Sequence, residues 1–225
     1  DFIKKPMREC TGKEITQEWL YHIGVPVEQI PDLESRTWTC NGSVEIDGET
    51  IVCSGTHGEQ NIGDAFANSC NVAFANIGIR LGGEKLYEYV HKFGLTEKTG
   101  IELGGEASGI FFGEATLANP DSYASLSSAA FGQTFKITPL QLVRAIAAVV
   151  NGGYVLEPHV VHQVLSPEGE VLETKGRTVL RQVISRETSE TMCQLLESVV
   201  SQGTAKNAQI AGYRIGGKTG TSEKI

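Results

Sequence analysis

The chain has 225 residues, 40% hydrophobic and 20% charged, which is the composition of an ordinary globular domain. Its 19 basic and 27 acidic residues give a formal charge of −8, and no basic cluster favours nucleic acid binding. It has no apolar run long enough to cross a membrane and no signal peptide pattern at its start. We therefore expect one domain or part of one, with any membrane anchor outside this sequence.

Apolar spacing and turn residues predict four elements in the first half of the chain. Helical spacing predicts a helix over 15–23, which ends at Gly24. Alternating residues around an Asp-Gly turn predict a hairpin over 44–52. Two further helices are predicted over 63–81 and 83–93.

The second half begins with a long loop region, predicted over 102–136 because it is rich in glycine, serine and alanine. A threonine cap followed by proline starts a helix at Thr138, and paired glycines end it. A second hairpin is predicted over 160–174, and a helix capped by Ser185 follows. Residues 213–217 are predicted to form a strand.

Short motifs recur in a fixed order from about Thr37 to Ile225. They include Cys53-x-x-x-His57-Gly58, Asn68-Ser69-Cys70-Asn71, Ala130-Phe131-Gly132-Gln133, Thr138-Pro139-Leu140-Gln141, Gly203-Thr204-Ala205 and Lys218-Thr219-Gly220-Thr221. In this order they resemble the transpeptidase domain of class B penicillin-binding proteins, the division and sporulation type. The resemblance implies an α/β fold with helices around an antiparallel sheet. We assign the domain to residues 1–225, although residues 1–34 match poorly and the family's last strands are absent.

The family's nucleophile lies in a first motif, S-x-x-K, which precedes S-x-N and K-T-G. Here Cys10 takes the serine position and Lys13 the lysine position, and Gly24 follows Lys13 at the family's spacing. The resemblance implies that residue 10 attacks the substrate and that Lys13 takes its proton. The alternative is that the true S-x-x-K segment is missing or has been replaced, which makes Cys10 an ordinary thiol.

The other two motifs complete the site that the resemblance implies. Ser69 would relay a proton to the leaving group, and Asn71 would hold the substrate's amide. Lys218 would anchor a carboxylate, with hydroxyl donors nearby. The substrate-binding residues of this motif are Lys218, Thr219, Gly220 and Thr221.

The family reaction cross-links D-Ala-D-Ala stem peptides of peptidoglycan by acyl transfer, and β-lactams block it. The resemblance implies these ligands, an extracytoplasmic location, and contacts with other cell-wall synthesis proteins through regions outside this chain. We expect impaired catalysis, because the larger sulfur of Cys10 displaces the attacking atom and about 1 Å of displacement can cost about 10²-fold. The alternative is a catalytically inactive module that binds cell-wall or division partners.

A second constellation consists of Cys40, Cys53, His57 and Cys70, residue types that bind zinc in closed structural sites. Some class B relatives hold zinc near S-x-N. The family reaction requires no cofactor, so this zinc would be structural. A Cys40–Cys53 disulfide and free thiols are the alternatives. The hairpin register opposes the disulfide, because paired positions should sum to 95 and these two sum to 93.

Overall fold

A computed structural model describes residues 36–221 of the chain. The predicted helix over 15–23, together with Cys10 and Lys13, lies outside these described residues. No helix between residues 36 and 221 combines the length and apolar character that a membrane crossing needs.

The described strands pair into four antiparallel two-stranded sheets, in the orders β1-β4, β2-β3, β5-β8 and β6-β7. Their bounds are β1 Trp38–Cys40, β2 Ser43–Ile46, β3 Glu49–Val52, β4 Gly58–Gln60, β5 Tyr154–Leu156, β6 Gln163–Leu165, β7 Val171–Thr174 and β8 Val179–Gln182.

Seven α-helices accompany these strands in the described chain, which confirms the α/β class. Their bounds are α1 Ile62–Ala67, α2 Asn71–Leu81, α3 Gly83–Lys92, α4 Glu114–Leu117, α5 Ala124–Ala130, α6 Pro139–Val150 and α7 Arg186–Ser201, followed by a 3-10 helix over Lys206–Ala208.

The first predicted hairpin is confirmed in position and register. Ser43 pairs with Val52 and Ile46 pairs with Glu49, so opposite positions sum to 95 as expected. Asp47 and its following glycine both have positive φ, 53° and 81°, which suits a two-residue turn. The Asp47 carboxylate then accepts hydrogen bonds from the backbone at the start of α5, and this contact joins the hairpin to the helical layer.

The single helix predicted over 63–81 is wrong, because the structure divides it into α1 and α2. The side chain of Asn61 caps α1, and the Cys70 Sγ accepts from the Ala73 N–H at 3.5 Å to cap α2. Each helix therefore has its own start. Ser69, with φ 54°, lies in the joint between them.

The predicted start of α6 is confirmed. Thr138 accepts from the Gln141 N–H at 3.2 Å, and the Gln141 side chain accepts from the Thr138 N–H at 2.8 Å. One turn later, buried Arg144 donates to the carbonyls of Gly94 and Thr99 at 2.6 and 3.3 Å. This helix thereby fixes the segment that follows α3.

Two predictions for irregular regions need correction. The long loop predicted over 102–136 contains α4 and α5, because buried Leu117 and Leu126 give these short segments a core contact. The strand predicted over 213–217 is not a strand, because no strand of residues 36–221 pairs with it.

The main hydrophobic core lies where β1, α1, α2 and α7 meet. Its buried members are Trp38, Cys40, Cys53, Ile62, Ala65, Cys70, Val72, Ala73 and Leu195. One of these members, Cys70, is the middle residue of the S-x-N segment at the start of α2. The core therefore contacts this segment directly.

Candidate active site

Ser69 occupies the joint between α1 and α2 in a left-handed backbone conformation. A non-glycine residue there carries a cost of order 1–3 kcal/mol, which the surrounding structure must offset. Backbone bonds do so, since the Ser69 N–H donates to Phe66 O at 3.2 Å and the Cys70 N–H donates to Ala65 O at 2.9 Å. The joint therefore holds the serine side chain outside both helices.

The K-T-G segment is positioned by α7. The Gly217 N–H donates to the Leu196 carbonyl at 3.1 Å. A Cβ atom on Gly216 would lie 3.0 Å from the Cβ of Leu196, closer than ordinary contact. The paired glycines thus let the backbone before Lys218 approach the helix closely.

These two supports bring Lys218 to Ser69. The Lys218 Nζ donates to the Ser69 Oγ at 2.6 Å and lies 6.0 Å from the centre of the Phe66 ring. Desolvation lowers the pKa of the Lys218 ammonium, although the residue as a whole is exposed, and solvent limits the effect. A cation and a hydroxyl therefore face the same space.

Asn71 begins α2 beside this pair. Its Nδ2 donates to the Val52 carbonyl at the end of β3, at 2.9 Å. The amide is therefore oriented by the hairpin, and the Oδ1 atom keeps its capacity to accept a hydrogen bond from an N–H group.

Sequence reasoning assigned no role to Thr204, which the structure brings to the same site. Its Oγ1 lies 2.9 Å from the Thr219 Oγ1, and its N–H donates to the Ala67 carbonyl at 3.1 Å. The sequence contains this residue in the Gly203-Thr204-Ala205 motif. The residues around that motif give no indication of a function.

The structure therefore brings Lys218 into contact with Ser69, while Thr219 follows Lys218 and Asn71 lies two residues after Ser69. Gly220 and Thr221 follow as exposed residues. The structure does not place Cys10 and Lys13, which precede the described residues, and the chemical roles of all eight residues stay predictions.

A second cluster adjoins the serine through Cys70, the next residue in the chain. Cys40 ends β1, Cys53 follows β3, His57 precedes β4 and Cys70 caps α2. Their ligand atoms all lie within 4.8 Å of one another, and the three cysteines are buried. Backbone bonds from His57 N–H to Cys40 O (3.1 Å) and from Cys53 N–H to Gly42 O (2.8 Å) hold the loops together.

The spacing within the cluster fits a tetrahedral zinc site. The Cys53 Sγ lies 3.8 Å from the Cys70 Sγ and 3.6 Å from the His57 Nδ1. Ligands about 2.3 Å from a central zinc ion lie about 3.8 Å apart in a tetrahedron. Cys40 and Cys53 are free thiols here, so the disulfide alternative is not the arrangement present.

The two central thiols differ in acidity. Burial raises the pKa of the Cys70 thiol to about 12. Burial also acts to raise the pKa of Cys53, but hydrogen bonds with the backbone of Gly55, Val72 and Asn71 outweigh it and lower that pKa. Three buried sulfurs and one imidazole are residue types that zinc binds in closed structural sites, so the donor set fits this ion.

A family model, described as the penicillin binding protein transpeptidase domain, matches residues 34–225. A second model, the MCRA family, matches residues 1–44. The transpeptidase match contains every described residue of the site. The segment with Cys10 and Lys13 lies before that match and within the second one.

Curated relatives carry related names. Stage V sporulation protein D of Bacillus subtilis is 39% identical over 201 residues, which cover 88% of this chain and 30% of that protein. Penicillin-binding protein PbpB of Mycolicibacterium smegmatis is 33% identical, covering 82% of this chain and 29% of its own length. The chain thus spans less than a third of these two relatives.

Solved structures share the fold. The D,D-transpeptidase domain of a peptidoglycan glycosyltransferase from Eggerthella lenta superposes with a TM-score of 0.78 at 24% identity, over 96% of this chain and 54% of that one. Penicillin binding protein 3 of Mycobacterium tuberculosis, complexed with aztreonam, gives a TM-score of 0.75 at 29% identity, over 84% of this chain and 43% of that one.

Proposed function

Because the chain belongs to the family of penicillin-binding-protein transpeptidase domains, we propose that it is part of a peptidoglycan D,D-transpeptidase. Its cleft, by which we mean the space beside Ser69, Asn71, Lys218 and Thr219, would bind the D-Ala-D-Ala end of a stem peptide, and β-lactams would enter the same space. The observation that carries this proposal is the 2.6 Å contact between the Lys218 ammonium and the Ser69 hydroxyl.

The terminal carboxylate of the substrate is the group that this cleft suits best. An ammonium and a hydroxyl next to each other can make charge-assisted and neutral hydrogen bonds to the two carboxylate oxygens. Lys218 and Thr219 would supply these donors. The free Oδ1 of Asn71 would accept from the peptide N–H, and Ser69 would lie beside the leaving amine.

For the acylation step we propose Cys10 as the nucleophile, because it takes the serine position of an S-x-x-K spacing with Lys13. Its sulfur would attack the carbonyl of the penultimate D-Ala while Lys13 takes the thiol proton. Collapse of the adduct breaks the peptide bond, and the leaving D-Ala amine gains a proton through Ser69. An acceptor amine would then attack the thioester, form the cross-link and release the Cys10 thiol.

A second candidate function is a domain that binds these ligands without acylation. The match of residues 1–44 to the MCRA family favours it, because the segment with Cys10 and Lys13 precedes the transpeptidase match at residue 34. A replaced first motif would remove the nucleophile and leave the carboxylate-binding half of the cleft.

The binding step is common to both candidates and is tested with a fluorescent penicillin. Fluorescence anisotropy shortly after mixing reports the initial complex, and intact mass after longer incubation reports the covalent adduct. Binding without an adduct supports the second candidate, and an adduct supports the first. If the anisotropy does not rise at the highest protein concentration tested, both candidate functions are contradicted.

We also propose that Cys40, Cys53, His57 and Cys70 hold a structural zinc ion. The ion would supply a cross-link between the ends of β1 and β3 and the start of α2. That cross-link would stabilise the left-handed joint at Ser69, because Cys70 is the next residue in the chain.

Peptidoglycan lies outside the cytoplasmic membrane, so a domain that binds stem peptides acts on the extracytoplasmic face. We propose that location for this chain.

A further inference from the structure

We propose that Thr204 is a positioning residue that directs the Thr219 hydroxyl towards the carboxylate of the bound ligand. The inference rests on the proposed carboxylate-binding function of the cleft. It adds a residue from the loop after α7, which neither S-x-N nor K-T-G contains.

Thr204 contacts the two chain segments that form the site, the end of α1 and the K-T-G segment. Its backbone N–H donates to the Ala67 carbonyl at 3.1 Å, two residues before Ser69. Its hydroxyl lies 2.9 Å from the Thr219 hydroxyl, next to Lys218. One residue therefore connects the end of α1 with the K-T-G segment.

Either hydroxyl could donate in the 2.9 Å contact between the Thr204 Oγ1 and the Thr219 Oγ1, and the Thr204 hydroxyl also donates to the Ala67 carbonyl at 3.5 Å. A bound carboxylate selects one direction, because its oxygens only accept hydrogen bonds and Thr219 must then donate its proton to the ligand. Thr204 would in that state turn its proton from the longer Ala67 contact to the Thr219 Oγ1.

Gly203 explains why Thr204 reaches this position. A Cβ atom at residue 203 would lie 2.3 Å from the Ala67 carbonyl oxygen and 3.0 Å from the Val199 Cα. Both neighbours are backbone atoms, which cannot rotate away as a side chain would. Glycine thus permits the close approach that places the Thr204 hydroxyl against Thr219.

A double-mutant cycle tests the proposal, with the affinity for a fluorescent penicillin read by anisotropy on the full chain. Thr204→Val should weaken binding about 3- to 10-fold, the range for loss of one hydrogen bond. Thr204→Ser keeps the hydroxyl and should bind within about twofold of the native chain. In a Thr219→Val background, Thr204→Val should cause no further loss, since its partner is absent.

Three results would overturn the proposal: an unchanged affinity for Thr204→Val, failure of Thr204→Ser to retain binding, or an equal loss with and without the Thr219 hydroxyl. If Thr204→Val does not fold, Thr204→Ala removes the same hydroxyl and replaces it in the cycle. A native chain that binds no penicillin contradicts the proposed function itself, before any variant is compared.

Discussion

The ammonium of Lys218 lies 2.6 Å from the hydroxyl of Ser69, although 149 positions separate the two residues. Two supports account for this contact. The joint between α1 and α2 presents the serine, and α7 holds the glycines that precede the lysine. The site is therefore built from backbone contacts, and its integrity depends on small residues at those contacts.

Replacement of Gly203 by alanine tests this dependence. The new Cβ atom would meet the Ala67 carbonyl oxygen at 2.3 Å, so the loop after α7 must move away from α1. We expect a loss of about 1–3 kcal/mol in the free energy of unfolding, as for other overpacked positions. Urea denaturation followed by circular dichroism measures it.

Gly176→Ala is the matched control, because a Cβ atom at Gly176 has nothing within 4 Å. The urea concentration at the unfolding midpoint of Gly176→Ala should equal that of the native protein within the scatter of replicate measurements. Equal unfolding midpoints for Gly203→Ala and Gly176→Ala would show that the close approach at Ala67 does not constrain the site.

The cysteine and histidine cluster predicts about one zinc ion per chain in protein purified without chelators. Cys70→Ser removes one of the four ligands, and the buried sulfur cluster should then lose most of its zinc. Elemental analysis measures the metal content, and the absorption of cobalt-substituted protein reports thiolate ligation.

Cys193→Ser is the comparison, because Cys193 lies half-buried on α7 outside the cluster. That variant should keep the native zinc content. Native protein with a zinc content near zero, after growth and purification with added zinc, would contradict the assignment.

Cys10→Ser discriminates between the two candidate functions. If Cys10 occupies the nucleophile position, serine restores the family's own attacking atom and the mass adduct with penicillin should increase. If the first motif has been replaced, neither protein should form an adduct. Intact mass spectrometry after incubation with excess penicillin measures the adduct.

Lys13→Ala in the Cys10→Ser chain is the control for an adduct. Loss of the proton acceptor should abolish acylation at residue 10, whereas adventitious labelling of surface lysines would persist. An adduct that tryptic mapping places away from residue 10 would contradict the alignment.

Local chemistry in the sequence was enough to predict several elements. The Asp-Gly turn fixed the register of the first hairpin, and the cap at Thr138 fixed the start of α6. The residues of S-x-N and K-T-G were also recognisable, because their order along the chain is specific. For the hairpin and for α6, the deciding contact lies within a few residues of the signal.

Contacts between distant segments could not be predicted in the same way. Apolar residues continue from α1 into α2, so the pattern favours one helix, and only the cap made by the Cys70 sulfur reveals the break. Residues 213–217 have strand-like composition, but a strand needs a partner, and none is present among residues 36–221. The bridge from Thr204 to Thr219 likewise depends on where α7 ends.

Lys218→Ala removes the ammonium that we propose binds the carboxylate of the ligand. Hydrogen bonds to charged groups contribute about 1.5–3 kcal/mol, so the affinity for a fluorescent penicillin should fall about 10- to 100-fold. The exposure of Lys218 favours the lower part of this range. Lys175→Ala, which removes an exposed lysine paired with Glu173 on β7, should leave the affinity unchanged.

Anisotropy titrations of the native chain and both variants, in the same buffer, provide the measurement. We expect saturable binding by the native chain and by Lys175→Ala, with a large loss of affinity confined to Lys218→Ala. Equal affinities of the native chain and Lys218→Ala would contradict the assignment of this cleft.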